Sequence, residues 1–196
     1  CLMARTSSYM LPLGTEAPDF TIPNTINGKE VSLSQIRGSK GTLIIFMCNH
    51  CPYVLHLLDK IIEISSEIIE SGINTVAISS NDVENYPDDS PELMKKLAED
   101  RAFSFPYLYD KSQSVALSYQ AACTPDFYLF DSELKLVYRG RFDDARPKNE
   151  LPVTGRDLLD AAQKLAHGVP QIENQTPSLG CNIKWKKGNE PEGFFS

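Results

Sequence analysis

The chain has 196 residues, 41% of them hydrophobic and 23% charged, an ordinary globular composition long enough to bury roughly 70% of its unfolded surface around one core. Its net charge of −7 disfavours nucleic acid and anionic membrane surfaces, which recruit clustered Lys and Arg, and no apolar run approaches the roughly 20 residues of a membrane span. Five cysteines, an odd number with one close pair, do not make the disulfide framework of a small secreted domain and point to a reducing, cytoplasmic setting.

Residues 1–16 show no periodicity and read as a flexible N-terminal arm, with anchoring of a cell-envelope lipoprotein through Cys1 as the alternative to a cytoplasmic chain. Asp19-Phe20-Thr21-Ile22-Pro23 and Glu30-Val31-Ser32-Leu33 flank Asn27-Gly28, which is a hairpin signal. Thr42 to Met47 is an apolar run of the kind found in strands buried on both faces of a parallel sheet. Val54, Leu57, Leu58, Ile61, Ile64 and Ile68 then recur at helical spacing, so one helix is expected from Pro52 to about Ser71, ended by Gly72. Asn74 to Ser79 is a second apolar strand, and strand-helix-strand over this length makes a right-handed parallel crossover. Asn81 to Pro91 reads as a polar, acidic loop, with Glu84 to Glu92 a solvated surface. A helix from Pro91 to Phe103, a short extended piece at 105–109 and a short helix at 113–119 follow. Asp126 to Phe130 and Leu134 to Gly140 form an antiparallel pair about a tight turn. A last amphipathic helix spans Gly155 to Gly168. The expected organisation is an arm over 1–16, one α/β domain over 17–168 and an irregular tail over 169–196 packed on that domain.

The chemistry concentrates at Cys48-Asn49-His50-Cys51-Pro52-Tyr53, where the first buried strand hands over to a helix. Pro52 suits the first helical position, since its missing N–H would be unsatisfied there anyway. Free N–H groups and partial positive charge at a helix start stabilise a thiolate. Two thiols three residues apart at that point can cycle between dithiol and disulfide, one attacking a substrate disulfide and the other resolving the mixed disulfide. An imidazolium at His50 would lower a neighbouring thiol pKa. Half of a zinc or copper site and a pair of inert buried thiols are the competing readings, and no second Cys-x-x-Cys or His-x-x-x-His supplies the further ligands zinc wants. No phosphate-cradling loop or dinucleotide fingerprint is present, so no cofactor is expected.

This order of elements, with Cys-x-x-Cys after the first long strand and Thr124-Pro125 opening the hairpin, resembles the thioredoxin-like superfamily. Ala17-Pro18-Asp19-Phe20 resembles the entry of its redoxin branch, which holds the alkyl hydroperoxide reductase/thiol-specific antioxidant group. Cys48 to Tyr53, Asn81 to Glu92, Cys123 to Phe130 and Gly180 to Lys186 together resemble one thioredoxin-family subgroup. The resemblance covers about residues 11–191. It implies a central mixed β-sheet flanked by helices, with an N-terminal β-hairpin extension. It also implies a cis Pro125 facing the Cys pair across a substrate groove, with Thr124 offering backbone hydrogen bonds to an extended substrate and Asn49 and Pro52 beside it. Protein or small-molecule disulfides and a thiol electron donor are the implied partners.

Which sulfur attacks stays open at this level. Superfamily usage assigns Cys48 as nucleophile, whereas a helix starting at Pro52 makes Cys51 the residue that feels the helix end. In peroxiredoxins the reactive sulfur follows a Thr three residues earlier, and here Cys48 stands in that place. A peroxidase working through Cys51, with Arg139 or Arg141 assisting, is the alternative activity, and a redox-silent binding module is the third. Cys123, two residues before Pro125, is a secondary redox candidate. Cys181 lies in a tail that would have to fold back. His56 reads as structural or solvent-facing, and His167 as a charge at a helix C-terminus.

Overall fold

The computed structural model describes residues 5–192. In chain order it contains β1 (Arg5–Ser7), β2 (Thr21–Pro23), β3 (Glu30–Ser32), the single turn α1 (Leu33–Ile36) and β4 (Gly41–Phe46). Next come α2 (Pro52–Leu55), α3 (Leu58–Ile68), β5 (Ile73–Ser79), α4 (Pro91–Asp100), β6 (Tyr107–Tyr109) and α5 (Ser114–Ser118). The last elements are β7 (Cys123–Thr124), β8 (Asp126–Asp131), β9 (Leu136–Gly140), α6 (Arg156–Ala166) and β10 (Leu179–Asn182). Cys1, Phe194 and Phe195 lie outside the described residues.

β4 is central because all six of its residues are buried. It pairs in parallel with β5 and antiparallel with β8, giving a five-stranded mixed sheet in the order β6-β5-β4-β8-β9. Successive side chains of a strand point to opposite faces. Leu43, Ile45 and Met47 accordingly meet α2, α3, α4 and α6 on one side, and Ile44 and Phe46 meet Phe20, Leu33, Val115 and Tyr119 on the other. Tyr119 packs against Phe46, Tyr128 and Phe130 and donates from its hydroxyl to Pro18 O at 2.5 Å, which fastens the Ala17–Phe20 entry to the sheet. The hairpin of β2 and β3 and the mixed α/β architecture agree with the sequence expectation. Among the described residues no helix is long and apolar enough to cross a membrane.

The helix expected over Pro52 to Ser71 is divided. Its apolar stripe is buried throughout, and each such Leu or Ile stabilises the fold by roughly 1.5–3 kcal/mol. The backbone tightens at His56 and Leu57, however, where Leu57 N–H bonds Val54 O, so α2 is a single turn and α3 starts afresh. A short 3₁₀ turn over Ile69–Ser71 ends at Gly72 with φ +85°, the left-handed closure its position predicted.

The arm and the tail are also corrected by the structure. Residues 5–7 pair with 179–181, and β10 pairs in turn with β7, making a three-stranded sheet in the order β1-β10-β7. Neither segment has the periodicity that a long strand would print, because three or four residues of ladder carry no pattern. The tail is irregular on either side of β10 and is nonetheless tied down. Lys184 N–H donates to Asn81 Oδ1 at 2.9 Å, Gln113 Nε2 donates to Lys184 O at 3.0 Å, and Ser178 Oγ donates to Pro125 O at 2.6 Å. Trp185 packs half-buried against the Phe20–Tyr119 side of the core.

Candidate active site

The site begins where β4 ends. Met47 N–H makes the last ladder bond, to Ile78 O, and the chain then turns through Cys48 to Cys51. Cys51 is the N-cap of α2 and Pro52 its first residue, as the proline predicted. The Cys51 carbonyl accepts from both Val54 and Leu55 N–H at 3.0 Å, which fixes the cap. Opposite stands Thr124, joined to Pro125 by a cis peptide bond. Thr124 Oγ1 lies 3.7 Å from Cys48 Sγ, and Cys51 Sγ lies 3.4 Å from Thr124 O. The two thiols are therefore brought together against Thr124, the residue that precedes the cis proline.

A third sulfur completes the cluster. Cys181 Sγ, carried by β10, lies 2.7 Å from Cys51 Sγ. Cys48, Cys51, Cys123 and Cys181 are all buried. The sequence marks Cys181 only weakly, in a tail that would have to fold back, although it falls in the Gly180 to Lys186 stretch that carried part of the resemblance. Cys123, the expected secondary candidate, instead directs its thiol to Pro125 O at 3.6 Å, and burial holds its pKa well above the ordinary thiol value.

The surroundings separate the sulfurs electrostatically. Hydrogen bonds from Cys181 and then Cys48, with lesser help from Thr124 and the Val54 N–H, push the Cys51 pKa down against the opposing effect of burial. Cys48 is raised, first because it gives its proton to the Cys51 contact and next by burial and the negative charge of Asp89. Cys181 is raised for the same first reason, its contact with Cys51. Cys51 is thus the sulfur of the three whose ionisation is most favoured.

Asp89 organises the loop between the cysteines. Its carboxylate is fully buried, accepts from Asn49 N–H and from Asn81 Nδ2 at 2.9 Å each, and sits 2.7 Å from His50 Nδ1. The His50 contact has the distance of an ion pair without the alignment of an ordinary hydrogen bond. Asp89 raises the His50 pKa, with burial opposing, and the ring stacks on Tyr86 at 6.1 Å. The expectation of a solvated acidic surface over Glu84 to Glu92 holds for Glu84, Asp88 and Glu92, which are exposed, and is corrected at Asp89, which is buried under the site. Nothing in the run Asp88-Asp89 distinguishes the two, and only the 3₁₀ turn over Pro87–Asp89 points one of them inward.

Several expected roles change. Asn49 is not available to a substrate, because its Oδ1 accepts from the Tyr107 hydroxyl at 2.8 Å and its Nδ2 donates to Asp88 O at 3.0 Å. The backbone edge of Thr124 is not open either, since β10 already pairs with it, Cys181 standing opposite Thr124. Pro52 remains exposed at the rim. Arg139 is held by Leu11 O and Gln175, and Arg141 by Asp157, so neither is directed at Cys51. His56 is exposed at the end of α2, and His167 caps α6 with Nδ1 2.8 Å from Gln163 O. Cys48, His50 and Asp89 place their ligand atoms within 4.8 Å of one another, a spacing a metal ion could bridge, although the His50–Asp89 ion pair already engages two of them.

Residues 13–139 match the AhpC/TSA family model. The chain belongs to the AhpC/TSA family. It is a redoxin of the thioredoxin-like superfamily, and among solved structures it is similar to a conserved protein of Geobacillus kaustophilus. That similarity has a TM-score of 0.92 and 50% identity over 94% of this chain and 97% of the other. A hypothetical protein of Sinorhizobium meliloti 1021 follows at TM-score 0.91 and 42% identity, covering 93% of this chain and 100% of that one. The thioredoxin domain of a thiol-disulfide oxidoreductase from Bacteroides vulgatus shares the fold at TM-score 0.62 and 22% identity, covering 80% of this chain and 99% of that one. No curated protein matches the chain.

Proposed function

We propose that this redoxin is a thiol–disulfide oxidoreductase in which Cys51 attacks and Cys48 resolves. The observation that carries the reading is geometric: Cys51 is the N-cap of α2 with its sulfur 3.4 Å from Thr124 O, and the lowering of Cys51 against the raising of Cys48 accords with it. The Cys51 thiolate attacks one sulfur of a substrate disulfide, and the other sulfur leaves as a thiolate and takes up a proton. Cys48 then loses its proton, attacks Cys51 Sγ and releases the second substrate thiol, leaving a Cys48–Cys51 disulfide that an external thiol donor reduces. His50, paired with Asp89, supports the thiolate as a nearby positive charge. Thr124 contacts both sulfurs and holds them in register. The test is disulfide exchange with purified variants: Cys51→Ser abolishes it, and Cys48→Ser no longer forms the Cys48–Cys51 disulfide. Full exchange by Cys51→Ser would overturn the reading.

Peroxide reduction is the second reading, favoured by the family match and by the readily ionised Cys51. There the Cys51 thiolate takes an oxygen from the peroxide, releases an alcohol or water and becomes a sulfenic acid, which a neighbouring thiol condenses with, expelling water. Thiol-dependent peroxide consumption that vanishes in Cys51→Ser, without disulfide exchange, would select it.

A further inference from the structure

We propose that Cys181 is a third redox thiol of this site, forming a Cys51–Cys181 disulfide that exchanges with the Cys48–Cys51 disulfide through the shared Cys51 sulfur. The proposal rests on the reading of Cys51 as the reacting thiol.

The sulfurs of Cys51 and Cys181 are 2.7 Å apart, so closing to the roughly 2.05 Å of a disulfide needs a movement of only about 0.6 Å. That proximity is built by the fold rather than left to a swinging side chain. β10 pairs with β7 so that Cys181 stands opposite Thr124, β1 pairs along the other edge of β10, and Ser178 and Lys184 are fastened on either side. Gly180 is the residue that lets the strand lie so close, since a Cβ there would collide with the Thr124 carbonyl. Cys181 is 3% exposed and Cys51 0% exposed, so the sulfur available to Cys181 is internal. The tail occupies the backbone edge that an extended substrate would use and brings its own cysteine to the place where a substrate sulfur would meet Cys51.

The steps balance without a further oxidant beyond the substrate disulfide. With Cys51 joined to a substrate sulfur, Cys181 loses its proton and attacks Cys51 Sγ. The bond to the substrate breaks, and its electron pair leaves as a thiolate that takes up the proton. Cys48 then loses its proton and attacks Cys51 Sγ of the new disulfide, forming Cys48–Cys51 and returning Cys181 as a protonated thiol. This second exchange is redox-neutral, and a thiol reductant closes the cycle by supplying two electrons and two protons.

The test is oxidation of the reduced full chain with oxidised glutathione, followed by acid quenching, alkylation and peptide mass spectrometry. Wild type is expected to yield the Cys51 peptide linked to the Cys181 peptide alongside the Cys48–Cys51 form. In Cys48→Ser the Cys51–Cys181 link becomes the intramolecular disulfide. In the Cys48→Ser/Cys181→Ala double variant the link is lost and a glutathione adduct persists on Cys51. If Cys48–Cys51 forms in wild type but no Cys51–Cys181 link appears in wild type or in Cys48→Ser, the proposal is overturned while the dithiol reading stands. If Cys51 is not oxidised in any of these proteins, both fall together.

Discussion

Asp89 lies under the active-site loop with Oδ2 2.7 Å from His50 Nδ1, while its other oxygen accepts the Asn49 N–H. One buried carboxylate therefore sets the backbone path between the two cysteines and the charge of the residue between them. It also opposes ionisation of Cys48.

Asp89→Asn is expected to lower the His50 pKa, because the anion that raises it is gone, and to make Cys48 more acidic. His50 is raised in the fold, so the stability it contributes is fully present below its unfolded value of about 6.5 and is lost as pH rises through the higher folded value. The stability gap between wild type and the variant should narrow from pH 6 upwards, as read by urea unfolding at several pH values. Histidine NMR titration checks the pKa directly, and an unchanged His50 would sink the argument. Asp89→Ala removes the acceptor for Asn49 and Asn81 as well and is expected to cost about 2–4 kcal/mol.

The Tyr107 hydroxyl donates to Asn49 Oδ1 from beneath the same loop. Tyr107→Phe removes that strut without changing the packing of the ring, so a loss of about 1 kcal/mol in chemical denaturation is expected. The resolving step should slow more than the first attack, because Asn49 adjoins Cys48 in sequence. Single-turnover measurement of adduct formation and decay separates the two, and equal effects on both would argue against loop positioning.

Much of this was legible in the sequence. β4 and the apolar stripe of α2 and α3 announce themselves because complete burial demands an unbroken apolar run or a 3-to-4 repeat. Pro52 and the spacing of Cys48 and Cys51 locate the turn because proline and paired thiols have few other uses at a strand-helix junction. Asp89 and Cys181 were hidden for the opposite reason: their contacts run across 40 and 130 positions of chain, and no local pattern encodes a long-range contact. The break at His56–Leu57 was hidden as well, since a tightened turn preserves the apolar stripe that predicted one continuous helix.

Gly180→Ala tests the strap formed by β10. The added Cβ meets the Thr124 carbonyl, so β10 must move away from β7 and uncover Cys51. Alkylation of the reduced native protein by iodoacetamide is expected to be slow in wild type, where Cys48, Cys51 and Cys181 are all buried, and at least about tenfold faster at Cys51 in the variant, as a locally opened segment would be. Unchanged labelling would mean that β10 does not control access to the thiol. Circular dichroism on the same samples distinguishes lifting of the strap from global unfolding.

Asp126 follows Pro125 directly and is buried, with Oδ2 accepting from Ala122 N–H and the Tyr128 hydroxyl and Oδ1 lacking a well-formed partner among the described residues. Burial pushes its pKa up from 3.8 to about 7. A carboxyl raised in the folded state contributes stability that is fully present below its unfolded value and is lost as pH climbs through the folded value. The loss should therefore run from about pH 4 to about pH 7 and amount to about 4 kcal/mol for roughly three pKa units. Asp126→Asn has no such titration and keeps an oxygen to accept the same two hydrogen bonds. Relative to wild type it should gain stability steadily from pH 4 to pH 8, measured by denaturant unfolding across that range. A difference that stays flat with pH would show that Asp126 does not bind its proton in the fold, and the buried carboxylate would then need a compensating donor on its Oδ1 side.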